Sequence, residues 1–176
     1  MPEIVNLPAT PVLEESVPPE LAAAFKGAMR RLAATVTVVT TGDGDQRYGM
    51  TATAVTSVTT NPPALLVCVN QSASLHPVMA TGTRFCINLL HSGHADVASA
   101  FGGKLTGAAR FNAGEWAQND QSVPYLVDAQ ANLFCRVDAL MLYGTHTIFV
   151  GRVDEVRLHG EIAPLIYQDG RYVMAS

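Results

Sequence analysis

The sequence predicts a mainly β fold with a few helices, built as an antiparallel barrel, and three observations carry that prediction. At least six segments alternate or run apolar in the manner of strands. Helical spacing is confined to two or three short stretches. Strands and helices do not follow the β-α-β order of a doubly wound sheet.

Residues 1–19 hold five of the ten prolines, Pro2, Pro8, Pro11, Pro18 and Pro19, and read as an extended arm. Residues 20–176 are then one domain. Over residues 20–33, Leu21, Ala24, Phe25, Ala28 and Leu32 recur at helical spacing behind the Pro18-Pro19 start signal. Residues 35–41 alternate as a strand, and Gly42-Asp43-Gly44-Asp45 turns the chain into a second strand beginning near Gln46 or Arg47. Residues 48–70, YGMTATAVTSVTTNPPALLVCVN, are the most informative stretch. They read as two strands joined by a proline turn, the first rich in threonine and alanine, the second continuously apolar from Ala64 to Val69. By itself this is an ordinary hairpin with a hydroxyl-rich face. Gly49 and the alanines also leave room for a flat ligand close to the backbone.

Residues 71–82 form a polar turn leading into a short helix, and residues 84–90 another strand. A short amphipathic helix over 96–101 precedes a Gly- and Ala-rich loop, 102–119, that carries Lys104, Arg110, Phe111 and Trp116. Residues 131–143 and 147–158 are two long strands linked across Gly144-Thr145-His146, and a turn at Asp169-Gly170 closes the chain.

Composition narrows the function. Of the 176 residues 48% are apolar and only 15% charged, a balance that suits either a large core or an extensive subunit interface. A net charge of -4 with no basic stripe argues against nucleic acid. No apolar run reaches the roughly 20 residues of a membrane helix, and no basic-then-apolar leader opens the chain, so a soluble, cytoplasmic protein is expected. Cys68, Cys86 and Cys135 are too widely spaced for a zinc site and read as reduced core residues.

Among candidate chemistries, GxGxxG and Walker sequences are absent. His91 and His94 with Asp96 lack a third ligand cluster and read as a solvated loop, so no metal is expected. Ser72 and Ser74 near His76 lack the strand-turn-helix setting of a nucleophile, and His76 reads as a helix-start histidine satisfied locally. What remains is the Thr-rich strand, the turn Asn70-Gln71-Ser72-Ala73-Ser74 and the loop Phe101-Gly102-Gly103-Lys104. Hydroxyls, free turn amides and one lysine suit a phosphate, although Lys104 fits a solvated loop equally well.

In the motifs FKGAMRRLAATVTVVTT, GMTATAVTSVTTNPPALLVCVN, SLHPVMATGTRFCINLL, FGGK, GTHTIFVGRV and PLIYQDGRY, in that order from Phe25 onward, the chain resembles the short-chain flavin reductase family. These are the reductase components of two-component flavin-dependent monooxygenases. The resemblance implies an antiparallel split β-barrel of the FMN-binding type. It implies a homodimer that binds FMN or FAD near the subunit interface, reduces it with NADH or NADPH, and releases it to a partner monooxygenase. By matching positions, Thr51, Ala52 and Thr53 would face the isoalloxazine ring, while Thr56, Ser57, Asn70, Ser72 and Ser74 would hold the ribityl and phosphate groups. Lys104 would lie near the phosphates, His146 beside the nicotinamide, and Tyr167 near the dinucleotide. Thr145 stands where the family commonly has Asp. A non-catalytic flavin- or haem-binding module is the alternative use of such a barrel.

Overall fold

The computed structural model describes residues 5–6 and 17–174. In chain order the elements are β1 (Val5–Asn6), α1 (Pro19–Met29), β2 (Ala34–Thr35), β3 (Thr37–Asp43), β4 (Gln46–Ala52), β5 (Val55–Thr60), β6 (Pro63–Asn70), α2 (His76–Ala80), β7 (Arg84–Leu89), α3 (Ala95–Ser99), β8 (Trp116–Gln118), β9 (Pro124–Leu126), β10 (Ala131–Tyr143), β11 (His146–Leu158), β12 (Leu165–Gln168) and β13 (Arg171–Met174). The proposed arm over 1–19 lies mostly outside the described residues. Within it, Val5–Asn6 pairs parallel to Ala139 and Leu140, and Pro19 already belongs to α1.

The main sheet runs β4-β3-β7-β10-β11-β6-β5, with every pairing along that path antiparallel. The mainly β, antiparallel prediction therefore holds. The path has two ends, β4 and β5, which no ladder joins. Only Thr53 and Ala54 separate them in the chain, so the sheet must curl until its edges meet there. The Thr-rich stretch read as one strand is thus two, broken at Thr53–Ala54. The break has a physical cause: Thr51 and Ala52 pair back onto β3, whereas Val55 onward pairs forward onto β6, and the backbone must change partners in between.

Strand β3 is buried along Thr37–Thr41 because both its faces are covered. Val39 points into the cluster inside the curled sheet with Val67, Phe85, Ile87 and Phe149. Val38, with Val36, packs into a second cluster under α3 with Val97, Phe101, Phe111 and Leu126. In that second cluster Phe101, Phe111 and Trp116 meet pairwise at 5.0 Å between ring centroids, so the loop read over 102–119 is anchored by its aromatic residues and includes the short strand β8. Burial requires the β3 hydroxyls to find acceptors. Thr37 Oγ1 donates to the Ala52 carbonyl at 2.8 Å and Thr41 Oγ1 to that of Arg84 at 2.7 Å. The Thr37 bond fixes the last residue of β4 at the edge of the break.

Helix α1 departs from its expected packing. Its apolar stripe is real, yet none of its residues is buried, and Phe25 is 62% exposed.

Candidate functional site

The break at Thr53–Ala54 is the centre of the site. Among the described residues the N–H groups of Thr53 and Ala54 make no hydrogen bond, while the Ala54 carbonyl accepts from the Cys68 N–H at 3.1 Å. Two adjacent unpaired donors beside a cavity are free to bond an acceptor. Thr53 lines three adjoining cavities, of about 220, 520 and 610 Å³.

The smallest cavity is walled by Thr51, Ala52, Thr53, Gly102, Tyr167 and Tyr172. Each wall is held from behind. Thr51 Oγ1 donates to the Ala98 carbonyl at 2.7 Å, tying β4 to α3. Arg110 Nη1 donates to the Gly49 carbonyl at 2.6 Å and its Nε to that of Leu105 at 2.9 Å, which clamps the loop after Gly102 against β4. Tyr167 and Tyr172 face each other across the β12–β13 hairpin with ring centroids 5.6 Å apart. Burial raises the Tyr172 phenol above its ordinary value, against a Ser99 hydrogen bond that lowers it, so the hydroxyl stays protonated. Small residues on the floor, rings at the side and unpaired amides at the rim fit a flat, partly polar ring.

A second group of expected residues gathers where β6 ends and β11 begins. His146 is directly opposite Asn70. Asn70 Oδ1 accepts from the Ser72 N–H at 2.9 Å and the Ser72 hydroxyl at 2.8 Å. Gln71 laces this turn to the next hairpin, its N–H donating to the Thr145 carbonyl at 3.0 Å and its Nε2 to that of His146 at 3.2 Å. His146 is exposed, with Nδ1 2.9 Å from Thr145 Oγ1, so a hydroxyl takes the place at its side. Because Cys68, two residues before Asn70, bonds to Ala54, the Asn70 and His146 group lies on the same end of the sheet as the break.

The remaining expected residues are dispersed. Thr56 and Ser57 line the 520 Å³ cavity together with Thr53. Ser74 and Lys104 are exposed, and neither they nor Asn70, Ser72 and His146 line any of the three cavities. The sequence reading passed over Tyr172 and Arg110, and placed Gly102 in a phosphate-binding loop and not in the wall of a ring cavity. Tyr172 was detectable, since it stands as far after the Asp169-Gly170 turn as Tyr167 stands before it, which makes the two a cross-strand pair.

Two histidine readings change. His76 finds its partner across the fold and not locally: its Nε2 lies 2.8 Å from the buried Thr147 hydroxyl, 71 positions away. His94 is not solvated: its side chain is 13% exposed, with Nε2 3.2 Å from Asp128 and Nδ1 accepting from the His91 N–H. Asp128 lies 34 positions away, beyond the reach of local spacing. Of the cysteines, Cys86 and Cys135 are buried and Cys68 is half-buried. Burial, then the Asp154 charge, pushes the Cys135 thiol up to about 12, which leaves it unreactive.

Burial also lowers the His76 imidazole from its ordinary 6.5. The native state then resists a proton that the unfolded chain accepts, so this group's stability is intact above about pH 6.5 and is lost as pH falls toward the depressed native value. Thermal melts at about pH 7.5 and about pH 5.5 should show a smaller acid-induced drop for His76→Gln than for wild type. Equal drops would remove His76 from the acid response.

Residues 29–176 match the profile of the flavin reductase like domain. The chain is 44% identical over 154 residues to the reductase component of an FADH(2)-dependent resorcinol hydroxylase from Rhizobium sp. strain MTP-10005, covering 86% of each. It is 40% identical over 162 residues to an FMN reductase (NADH), RutF, of Variovorax paradoxus strain S110, covering 92% of this chain and 90% of that one. Among solved structures, the NADH:FAD oxidoreductase of Streptomyces globisporus C-1027, in complex with NAD and FAD fragments, superposes with a TM-score of 0.83 at 28% identity, covering 92% of this chain and 97% of that one. BorF, the flavin reductase component of a bacterial two-component tryptophan halogenase, gives 0.80 at 29% identity, covering 87% and 97%.

Proposed function

This chain belongs to the flavin reductase like domain family, and we propose on that footing a chemical role for each wall of its site. It is an enzyme, an NAD(P)H-dependent flavin reductase that supplies reduced flavin to a partner monooxygenase. The observation that carries the site reading is the pair of unpaired amides at Thr53 and Ala54 beside a cavity floored by Ala52 and Gly102.

When bound, flavin and NADH supply hydride transfer from nicotinamide C4 to flavin N5. The chain's part is to bind and orient. Ala52 and Gly102 let a ring lie flat at contact distance. The Thr53 and Ala54 amides would donate to the polar edge of a bound ring and stabilise negative charge there. Tyr167 and Tyr172 cover the side and keep water out. Thr56, Ser57, Asn70, Ser72, Ser74 and Lys104 hold the ribityl and phosphate groups, and the exposed His146 positions the nicotinamide on the open side. Holding flavin and nicotinamide in one site would lower the entropic cost of their reaction, and no side chain would need to transfer a proton.

The finer architecture follows the same reading. Curled edges meeting at Thr53–Ala54 support a split barrel, and exposed Leu142, Tyr143, Val156 and Leu158 support a homodimer. Among the described residues no helix is long and apolar enough to cross a membrane. Reduced thiols and a nicotinamide substrate suit the cytoplasm.

His146→Ala should lower kcat/KM for NADH by about 10- to 100-fold while changing flavin affinity less than about 2-fold. Steady-state NADH oxidation and fluorescence titration of the flavin read the two separately. Equal loss in both, or in neither, would contradict the assigned position of His146.

A further inference from the structure

The room that Gly49 leaves on β4 is filled from within the chain. A Cβ built at Gly49 would lie 2.6 Å from Phe101 Cε1 and 2.9 Å from Cδ1, so the edge of the Phe101 ring occupies the place of a side chain. Alternate residues of β4 receive α3 and the loop behind it at three points. The Arg47 guanidinium carbon lies 4.4 Å from the Phe111 ring centroid, Gly49 takes Phe101, and Thr51 Oγ1 donates to the Ala98 carbonyl. The next residue in that series is Thr53, just past Ala52, the last of β4 to pair with β3, and it already lines the ring cavity.

Phe101 is 2% exposed, and its ring cannot swing away because Phe111 and Trp116 each stand 5.0 Å from it, centroid to centroid. Gly102 and Gly103 follow directly and carry no side chains with which to grip β4. Seating of the Phe101 ring therefore decides how far Gly102 stands from Thr51, whose Oγ1 is 3.9 Å from a Cβ built at Gly102. The Arg110 clamp closes the loop onto the same residue, through the Gly49 carbonyl. We propose that Phe101 and the notch at Gly49 are a positioning pair that sets the width of the ring cavity between Thr51 and Gly102, and through it the affinity for flavin. Neither residue lines that cavity. A misplacement of about 1 Å by a change away from the reacting atoms can cost about 100-fold in rate, so a contact this tight has leverage on the site. The proposal rests on the flavin reductase reading of that site.

Three variants test it: Gly49→Ala, Phe101→Leu and the two combined. Fluorescence titration of the folded proteins gives dissociation constants for FMN and for FAD, and steady-state oxidation at saturating flavin gives KM for NADH. Gly49→Ala should weaken flavin binding at least about tenfold and move KM for NADH less than about twofold, because the added methyl lifts Phe101 and Gly102 but leaves the open side at His146 in place. Leucine lacks the Cε atom nearest the notch, so the combined variant should lose less than either single one and bind flavin within about threefold of wild type. Recovery is incomplete because the new methyl would still lie 3.2 Å from the Val39 carbonyl oxygen. Phe101→Leu alone leaves part of the notch empty and should weaken flavin binding at least about threefold, and it decides the matter if Gly49→Ala does not fold. Unchanged flavin affinity in the folded single variants, with only the melting temperature lowered, would reduce the contact to packing and overturn the proposal. Losses that simply add in the combined variant, or equal losses for flavin and NADH, would overturn it as well. Wild type that neither binds flavin nor oxidises NADH in its presence would instead bring down the flavin reductase reading, and this inference with it.

Discussion

Gly102→Leu should leave the fold standing and remove flavin-dependent NADH oxidation. A Cβ at Gly102 would come no nearer than 3.8 Å to the Tyr172 hydroxyl and 3.9 Å to Thr51 Oγ1, which is ordinary contact. Gly102 lines the cavity of about 220 Å³, so the remaining three carbons of leucine extend over the space assigned to the ring. The expected fall in kcat/KM for flavin is at least about 100-fold, roughly 2.7 kcal/mol of transition-state stabilisation. The melting temperature should move by less than about 3 °C, because no buried contact is lost. Gly102→Ala should fall between the two, since its methyl reaches the wall without filling the space. Full activity in the leucine variant would move the ring site elsewhere.

Gly151→Ala should do the reverse, costing stability while sparing chemistry. A Cβ there would overlap Phe85 Cζ, with Cε1 at 3.0 Å and the Cys135 Cβ at 3.2 Å. Phe85 is fully buried in the cluster inside the curled sheet, so its ring has nowhere to turn. Overpacking of this kind costs about 1–3 kcal/mol. In a chain of this length each kcal/mol lowers the melting temperature by roughly 2–4 °C. Phe85→Leu in the same background should recover part of the loss, giving a coupling of about 0.5–3 kcal/mol in a double-mutant cycle. Strict additivity would mean that the two positions do not compete for space. Activity per folded molecule should be unchanged, because no residue assigned to the ligands touches Gly151.

What could be read from the sequence follows the range of the interactions involved. The β10–β11 hairpin was legible from apolar alternation flanking Gly144. So was the β3–β4 hairpin from its Gly-Asp turn, because both depend on neighbours in the chain. The division of the Thr-rich stretch at Thr53–Ala54 was not, since it depends on β3 and β6, partners from either side, claiming different halves. Helix α1 was legible as a helix but not as an exposed one, because periodicity reports a stripe and not whether anything covers it. The His94–Asp128 contact escaped for the same reason of distance.

Within the candidate site, Thr51–Thr53, Asn70 and His146 were named through the resemblance, whereas the register that sets Asn70 opposite His146 was not legible, because it depends on strands far apart in the chain. Tyr172, the Arg110 clamp and the place of Gly102 in the cavity wall became visible only once the loop after α3 was folded against β4.

The most direct measurement is anaerobic. Free flavin and excess NADH are mixed with a small catalytic amount of the purified chain, and the absorbance of oxidised flavin is followed. A flavin reductase bleaches many flavin molecules per protein molecule, far faster than the protein-free mixture, and the Gly102→Leu variant does not. Bleaching at the protein-free rate, in a protein that still binds flavin, would make this chain a carrier and contradict its assignment as an enzyme.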